Sequence, residues 1–241
     1  MRCLLAQRRA HSGPFTDDGV TLVELVMVMS LTLIISAMIT STFLTGMNAV
    51  FASDARGADT EQAKIATENT SKQLRLAVDP DGDGTLAAFD TASPKEVIFY
   101  AARRTPVVTT GGVTTGGVPT TPAKLHIWFG GDNVLRQQQA LVTVSGSTVT
   151  YGAWDSTSTR VIGVNVVNSS SLPVFTYLKA SDTTTNSGGV TISSLEDSSG
   201  SVTGSSLGDI EAVEIWVAIN SNTSRTNNAT TAVTRVTLLN R

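Results

Sequence analysis

The chain has 241 residues, and 15% of them are charged; 17 Lys and Arg against 20 Asp and Glu give a formal net charge of −3. Apart from Arg8-Arg9 and Arg103-Arg104 the cations are scattered, so there is no basic field to hold nucleic acid, and no nucleic-acid partner is expected. A single cysteine, Cys3, excludes an internal disulfide, and two histidines, His11 and His126, leave little for a His-based metal site or catalytic triad, so no enzyme is expected.

The first segment, "MRCLLAQRRAHSGPFTDDG" (residues 1–19), is not built like a secretory signal, because its apolar piece before Arg8 is far too short. The long hydrophobic run follows it. Leu25 through Ser53 carry no charge, which exceeds the roughly 20 residues a bilayer crossing needs. The part "LVMVMSLTLIISAMI" is apolar nearly all round, as lipid contact on every side requires. Arg2, Arg8 and Arg9 precede it, so the positive-inside rule puts the N-terminus in the cytoplasm and everything after about Phe43 outside. Glu24 is the exception at the head of this run. A carboxylate there costs about 3 kcal/mol even on the lenient insertion scale, so it needs a reason.

The helix is expected to continue beyond the membrane. No proline occurs between Val20 and Val78, and "ADTEQAKIATENTSKQLRLAV" is rich in good helix formers. Phe51, Ala55, Ala58, Ile65, Ala66, Leu74 and Ala77 form a stripe near the 3.6 period that should face a sheet, with Asp59, Lys64, Glu68 and Lys72 outward. Gly46 and Gly57 are the points where such a helix would bend, and Pro80 with the Gly-Asp turn behind it ends the element. About 58 residues at 1.5 Å each would span roughly 90 Å, too long for one globular core. Half in the membrane and half in a domain resolves the length.

"DPDGDGTLAAFD" (residues 79–90) places Asp79, Asp81, Asp83 and Asp90 at positions 1, 3, 5 and 12 of a twelve-residue loop, with Gly84 at position 6 and Thr85 at position 7. This is the ligand spacing of an EF-hand calcium loop: three short carboxylates, a backbone carbonyl and a final acid around Ca²⁺. The other reading is a solvated Asp-Gly turn capping the helix. Pro94 follows closely, which argues against an outgoing helix.

Beyond this loop the signals are β. "EVIFYA" (96–101), "KLHIWFG" (124–130), "ALVTVSG" (140–146), "TVTYGAW" (148–154), "RVIGVNVVN" (160–168), "PVFTYLKA" (173–180), "EAVEIWVAIN" (211–220) and "AVTRVTLLNR" (232–241) alternate or run β-branched and aromatic. The alternation in "EAVEIWVAI" fits an antiparallel sheet with one face on the helix. His126 is expected to be a strand residue with a satisfied ring. "TTGGVTTGGVPTTP" (109–122), "DTTTNSGG" (182–189) and "NSNTSRTNNATT" (220–231) read as surface loops, and the first lacks the residues of a phosphate-binding loop. Asn69, Asn168, Asn222 and Asn228 match the N-glycosylation triplet, as chance alone would produce in so Ser- and Thr-rich a chain.

"G-V-T-L-V-E-L" (19–25) before a hydrophobic helix resembles the class III signal of type IV prepilins. That resemblance implies cleavage between Gly19 and Val20 by a prepilin peptidase, methylation of the new N-terminus, and Glu24 as the fifth mature residue. Val20 stands where the family usually has Phe. It also implies a role for Glu24: pairing with the terminal amine of a neighbouring subunit in a filament. The order of the later pieces resembles W-type minor pilins and J-type type II secretion pseudopilins, with Leu239 in place of an Arg in the closing strand; the calcium-type loop resembles those of dockerin modules.

The expected fold is α+β and pilin-like: a long N-terminal helix on an antiparallel sheet domain. The expected organisation is a leader at 1–19, a transmembrane and filament-core helix at 20–50, and an extracytoplasmic domain at 51–241. The expected protein is a structural subunit, a minor pilin or pseudopilin, anchored in the cytoplasmic membrane and then carried into an extracellular filament. Its partners would be other pilins or pseudopilins, the peptidase and the membrane. The alternative is a pilus-borne adhesin with a Ca²⁺-stabilised loop.

Overall fold

The structure, a computed structural model, describes residues 19–81, 86–103, 122–145, 148–169, 171–185, 191–221 and 229–238. Most of the leader, most of the Gly-Thr repeat, and Asn222 and Asn228 lie outside the described residues. The chain divides into two compact units, Met1–Ala52 and Ser53–Arg241. One continuous helix, α1 (Leu22–Leu74), runs through the division and passes Gly46 and Gly57 without a break.

In the first unit, α1 exposes its apolar side chains all round, from Leu22 to Val50. It is the one helix among the described residues long and apolar enough to cross a membrane, with a window of mean hydropathy 2.4. Five of its hydroxyls bond within the helix: Ser30, Thr32, Thr40, Thr42 and Thr45 donate to carbonyls three or four residues back at 2.7–2.9 Å. Such back-bonding lowers the cost of setting these donors against hydrocarbon.

The second unit is α+β, the C-terminal part of α1 packed against two antiparallel sheets. The first sheet is a five-stranded meander of β1 (Phe89–Ala92), β2 (Glu96–Ala101), β3 (Ala123–Phe129), β4 (Leu135–Ser145) and β5 (Thr148–Gly163) in that spatial order. The second has the order β7-β6-β8-β9, from β6 (Phe175–Thr185), β7 (Thr191–Ser194), β8 (Ala212–Ile219) and β9 (Thr230–Thr237). A 3-10 turn, Gly204–Asp209, precedes β8. One core joins all of it: Ala63, Ala66 and Leu74 of the helix, Val97, Phe99, Leu125 and Ile127 of the first sheet, Phe175, Tyr177, Val213 and Ile215 of the second. Period-two burial in β2 and β3 puts every second residue in that core.

The buried helix stripe differs from the expected one. Phe51 and Ile65 are 61% and 47% exposed and Ala58 is exposed, while Asp59, expected outside, is 4% exposed. The stripe that packs is Asp59, Ala63, Ala66, Thr67, Thr70, Ser71 and Leu74. Its small residues let the backbone come close: an added Cβ on Gly163 at the end of β5 would lie 3.3 Å from the Ala66 methyl. Its hydroxyls can be buried because Thr67 and Thr70 donate to the Ala63 and Ala66 carbonyls at 2.7 and 2.8 Å. Asp59 accepts the Ser221 N–H at 3.2 Å. An apolar-only stripe search cannot see residues that satisfy their own polar groups.

The helix also stops before Val78. Arg75 and Leu76 N–H groups close the last turn on Ser71 and Gln73, and the chain then joins the first sheet. Val78 N–H donates to Tyr100 O at 2.9 Å, and Ala102 N–H to Leu76 O at 2.7 Å. Sheet pairing, not Pro80, ends the element. The two strands expected at 148–154 and 160–168 are instead the single β5, because a bulge absorbs the polar residues between them. Asp90 and its neighbours form the unforeseen strand β1, and 182–185, expected in a loop, extend β6.

Candidate functional site

At the head of α1 the sequence builds a helix start. Thr21 precedes the helix, its carbonyl accepts the Leu25 N–H at 3.1 Å, and its hydroxyl oxygen accepts the Glu24 N–H at 3.2 Å. Thr21-Leu22-Val23-Glu24 thus has the Thr-x-x-Glu spacing of a capping box, and the Thr half of it is made. The carboxylate of Glu24 sits in the first turn, where the helix dipole favours negative charge. Gly19, Val20 and Glu24 are all exposed, with no neighbouring element over them among the described residues of the first unit. The sequence reading missed the capping pattern, which was legible in it.

The residues of the twelve-residue loop are only partly placed. Asp79 Oδ1 accepts the Asp81 N–H at 3.1 Å, a local turn. Asp90 lies in β1, where an oxygen is 3.0 Å from Lys124 Nζ of β3. Asp83 and Thr85 lie outside the described residues. Asp79 also lines a cavity of about 670 Å³ with Leu86, Ala88 and Phe89 on one side and Leu207 and Ile210 on the other. Among the described residues no three His, Cys, Asp or Glu side chains converge as a metal set.

The most concentrated chemistry lies on the outer face of the first sheet, opposite the core. Lys124, His126 and Trp128 alternate with the buried Leu125 and Ile127 along β3, so all three point outward. His126 stacks on Trp128 with centroids 4.6 Å apart and meets Trp154 of β5 at 5.1 Å. Its ring nitrogens face Glu96 Oε2 at 3.2 Å and the Gln138 amide at 3.3 Å, which is the satisfied strand histidine expected from sequence. Burial between the two indoles lowers its pKa, and the Glu96 carboxylate only partly offsets this. Next to it Tyr100 and Tyr151 meet at 5.1 Å, with Lys124 Nζ 5.5 Å from the Tyr100 ring centre. Half-burial raises the Tyr151 phenol to about 12, and its O–H donates to Pro122 O at 2.9 Å. Four of the six Trp and Tyr residues thus share one half-exposed sheet face. Period-two alternation predicts that Trp128 and His126 share a face; the partnership with Trp154 needs the β4–β5 pairing.

Compared with protein-family models, with curated proteins and with solved structures, the chain matches none.

Proposed function

We propose that the chain is a structural, non-enzymatic subunit of a filament of the type IV pilus class, a prepilin-like protein processed between Gly19 and Val20. The observation that carries the reading is the pairing of "GVTLVEL" with a helix that exposes uncharged, mostly apolar side chains for the next 25 or so residues and then enters an α+β unit. In this reading the apolar half of α1 rests in the cytoplasmic membrane with the N-terminus inside, and later packs among the helices of neighbouring subunits. Methylated Val20 carries a cationic amine into that apolar bundle, and Glu24 of an adjacent subunit neutralises it. Two buried charges that offset each other fix the axial register of one subunit on the next. Before assembly, Glu24 lies near enough to the cytoplasmic interface to stay hydrated. The resemblance to W-type minor pilins and J-type pseudopilins assigns the subunit to initiating or capping the filament.

N-terminal mass spectrometry of the membrane-borne protein tests the reading. The expected mature chain begins at methylated Val20, and Gly19→Leu leaves the full-length precursor. A wild-type chain that still begins at Met1 overturns it.

The second reading is a filament-borne binding module. The aromatic outer face around Trp128, His126 and Trp154 supports it, since half-exposed indoles and phenols with flanking polar groups are what binding surfaces use. In this reading Ca²⁺ at Asp79, Asp81, Asp83, Thr85 and Asp90 fastens the connection between helix and sheet. Trp128→Ala with Trp154→Ala separates the two: loss of adherence with filaments intact favours the module, and loss of filaments favours the structural role.

A further inference from the structure

The strand β4 contains three consecutive glutamines, Gln137 to Gln139, and β5 does not match them residue for residue. Gln137 stands opposite Arg160 and Gln139 opposite Asp155, so one residue of β4 faces four on β5, a surplus of three. The extra chain is a pinned bulge. Asp155 Oδ1 accepts the Thr157 N–H and O–H at 2.9 and 2.6 Å, while Ser158 Oγ accepts the Gln139 N–H at 3.0 Å and donates to Asp155 O at 2.7 Å. Bulges of this kind re-aim side chains and recur beside binding sites.

At this bulge lies a cavity of about 140 Å³, lined by Arg103, Arg160, Gln137, Gln139, Thr157 and Ser158 among others, with no carboxylate among the described residues of its wall. Two arginines therefore line one small polar space in a chain whose net charge is negative. Lys72, Lys124, Arg136 and Arg235 each hold a carboxylate, but among the described residues neither Arg103 nor Arg160 forms an ion pair. Among the described residues the Gln139 amide nitrogen is buried without an acceptor, and such an orphaned donor costs about 1–3 kcal/mol. The wall thus brings two arginines to a space to which no described residue contributes a carboxylate. The space falls well below the roughly 300 Å³ at which pockets for whole organic ligands begin. One anionic group fits it.

We propose that the bulge cavity binds a single oxyanion, a phosphate, sulfate or carboxylate group, between Arg103 and Arg160. The planar donor forks of arginine match such groups in a bidentate manner. The site is independent of the filament reading. The group arrives either as a free inorganic ion or as the charged substituent of a larger molecule such as an acidic sugar.

The test is isothermal titration of the full chain in neutral detergent at constant ionic strength, with sodium phosphate in one arm and sodium glucuronate in the other. Saturable heat is expected in at least one arm, and the tighter probe identifies the source. Arg103→Gln and Arg160→Gln each weaken that binding by about tenfold or more, the loss of one charge-assisted hydrogen bond. Lys124→Gln, on the opposite face, leaves it unchanged. Heat that does not saturate, or that survives in the double arginine variant, identifies indiscriminate adsorption and overturns the site.

Discussion

Asn168→Ala should destabilise the protein far more than an exposed asparagine in a Ser-rich loop would. The reason lies in the second sheet. β6 pairs with β8 only from Ala212 to Ile215, so the remaining edge of β8 needs other partners. The chain between β5 and β6 supplies them: Val167 N–H donates to Ala218 O, Asn220 N–H to Asn165 O, and Trp216 N–H to Val174 O, all at 2.8–3.0 Å. Asn168 fills the gap with its side chain. Its Oδ1 accepts the Ala218 N–H at 3.0 Å, and its amide nitrogen lies 2.8, 3.1 and 3.3 Å from the carbonyls of Trp216, Leu172 and Pro173. With two amide hydrogens and one carbonyl, about three net hydrogen bonds are lost at about 1 kcal/mol each, and one buried N–H is left orphaned. The expected cost is therefore about 3 kcal/mol, a melting temperature lower by about 6–12 °C in a chain of this size. Thermal unfolding in detergent, followed by the β-sheet circular dichroism signal, measures it. Asn168→Asp supplies a second arm. It keeps the acceptor but turns a carboxylate toward carbonyls, raising its pKa in the folded state, so the destabilisation is full at neutral pH and eases as pH falls and the acid protonates. A drop of less than about 2 °C for Asn168→Ala would refute the reasoning. So would a glycan on Asn168, because the modified nitrogen would keep only one of its two hydrogens and the bulky sugar has no room among these carbonyls.

Glu24→Ala should insert into the membrane more easily and still be cleaved, yet enter filaments poorly. Glu24→Gln separates charge from capping: it keeps the capping-box donor and acceptor, so normal assembly of Glu24→Gln would mean that the helix start, not the ion pair, is what Glu24 provides. Because the His126 pKa is lowered in the folded protein, the unfolded chain takes up a proton first as pH falls. The neutral ring's contribution is full above the ordinary value near 6.5 and is lost below it. Wild type should therefore lose stability between about pH 7.5 and pH 5 more steeply than His126→Gln does, and parallel profiles would sink the assignment. Calorimetric titration with Ca²⁺ to about 1 mM decides the loop at Asp79: heat and a higher melting temperature are expected if it binds metal, and their absence leaves an ordinary turn.

Much of the fold was legible in the sequence because its causes are local. The uncharged run from Leu25 to Ser53 makes a helix that exposes apolar side chains all round, and the α+β class follows from a proline-free helical stretch followed by alternating strands. Gly19, Val20 and Glu24 stood out for the same reason: a motif and the apolar helix behind it are contiguous. Tertiary structure alone decided what depends on distant partners. Asp59 is buried because Ser221, 162 residues away, meets it. Asp90 became a strand residue because its neighbours Phe89 and Thr91 pair with β2 and Lys124 meets its carboxylate. Asn168 is indistinguishable in sequence from Asn69, yet a break in the β6–β8 ladder makes it a structural plug. The Arg103 and Arg160 cavity exists only because β4 and β5 fall out of register between Gln137 and Gln139. Periodicity reports which way a side chain points along its own element; what it meets there is set by loop closure and pairing across the whole chain.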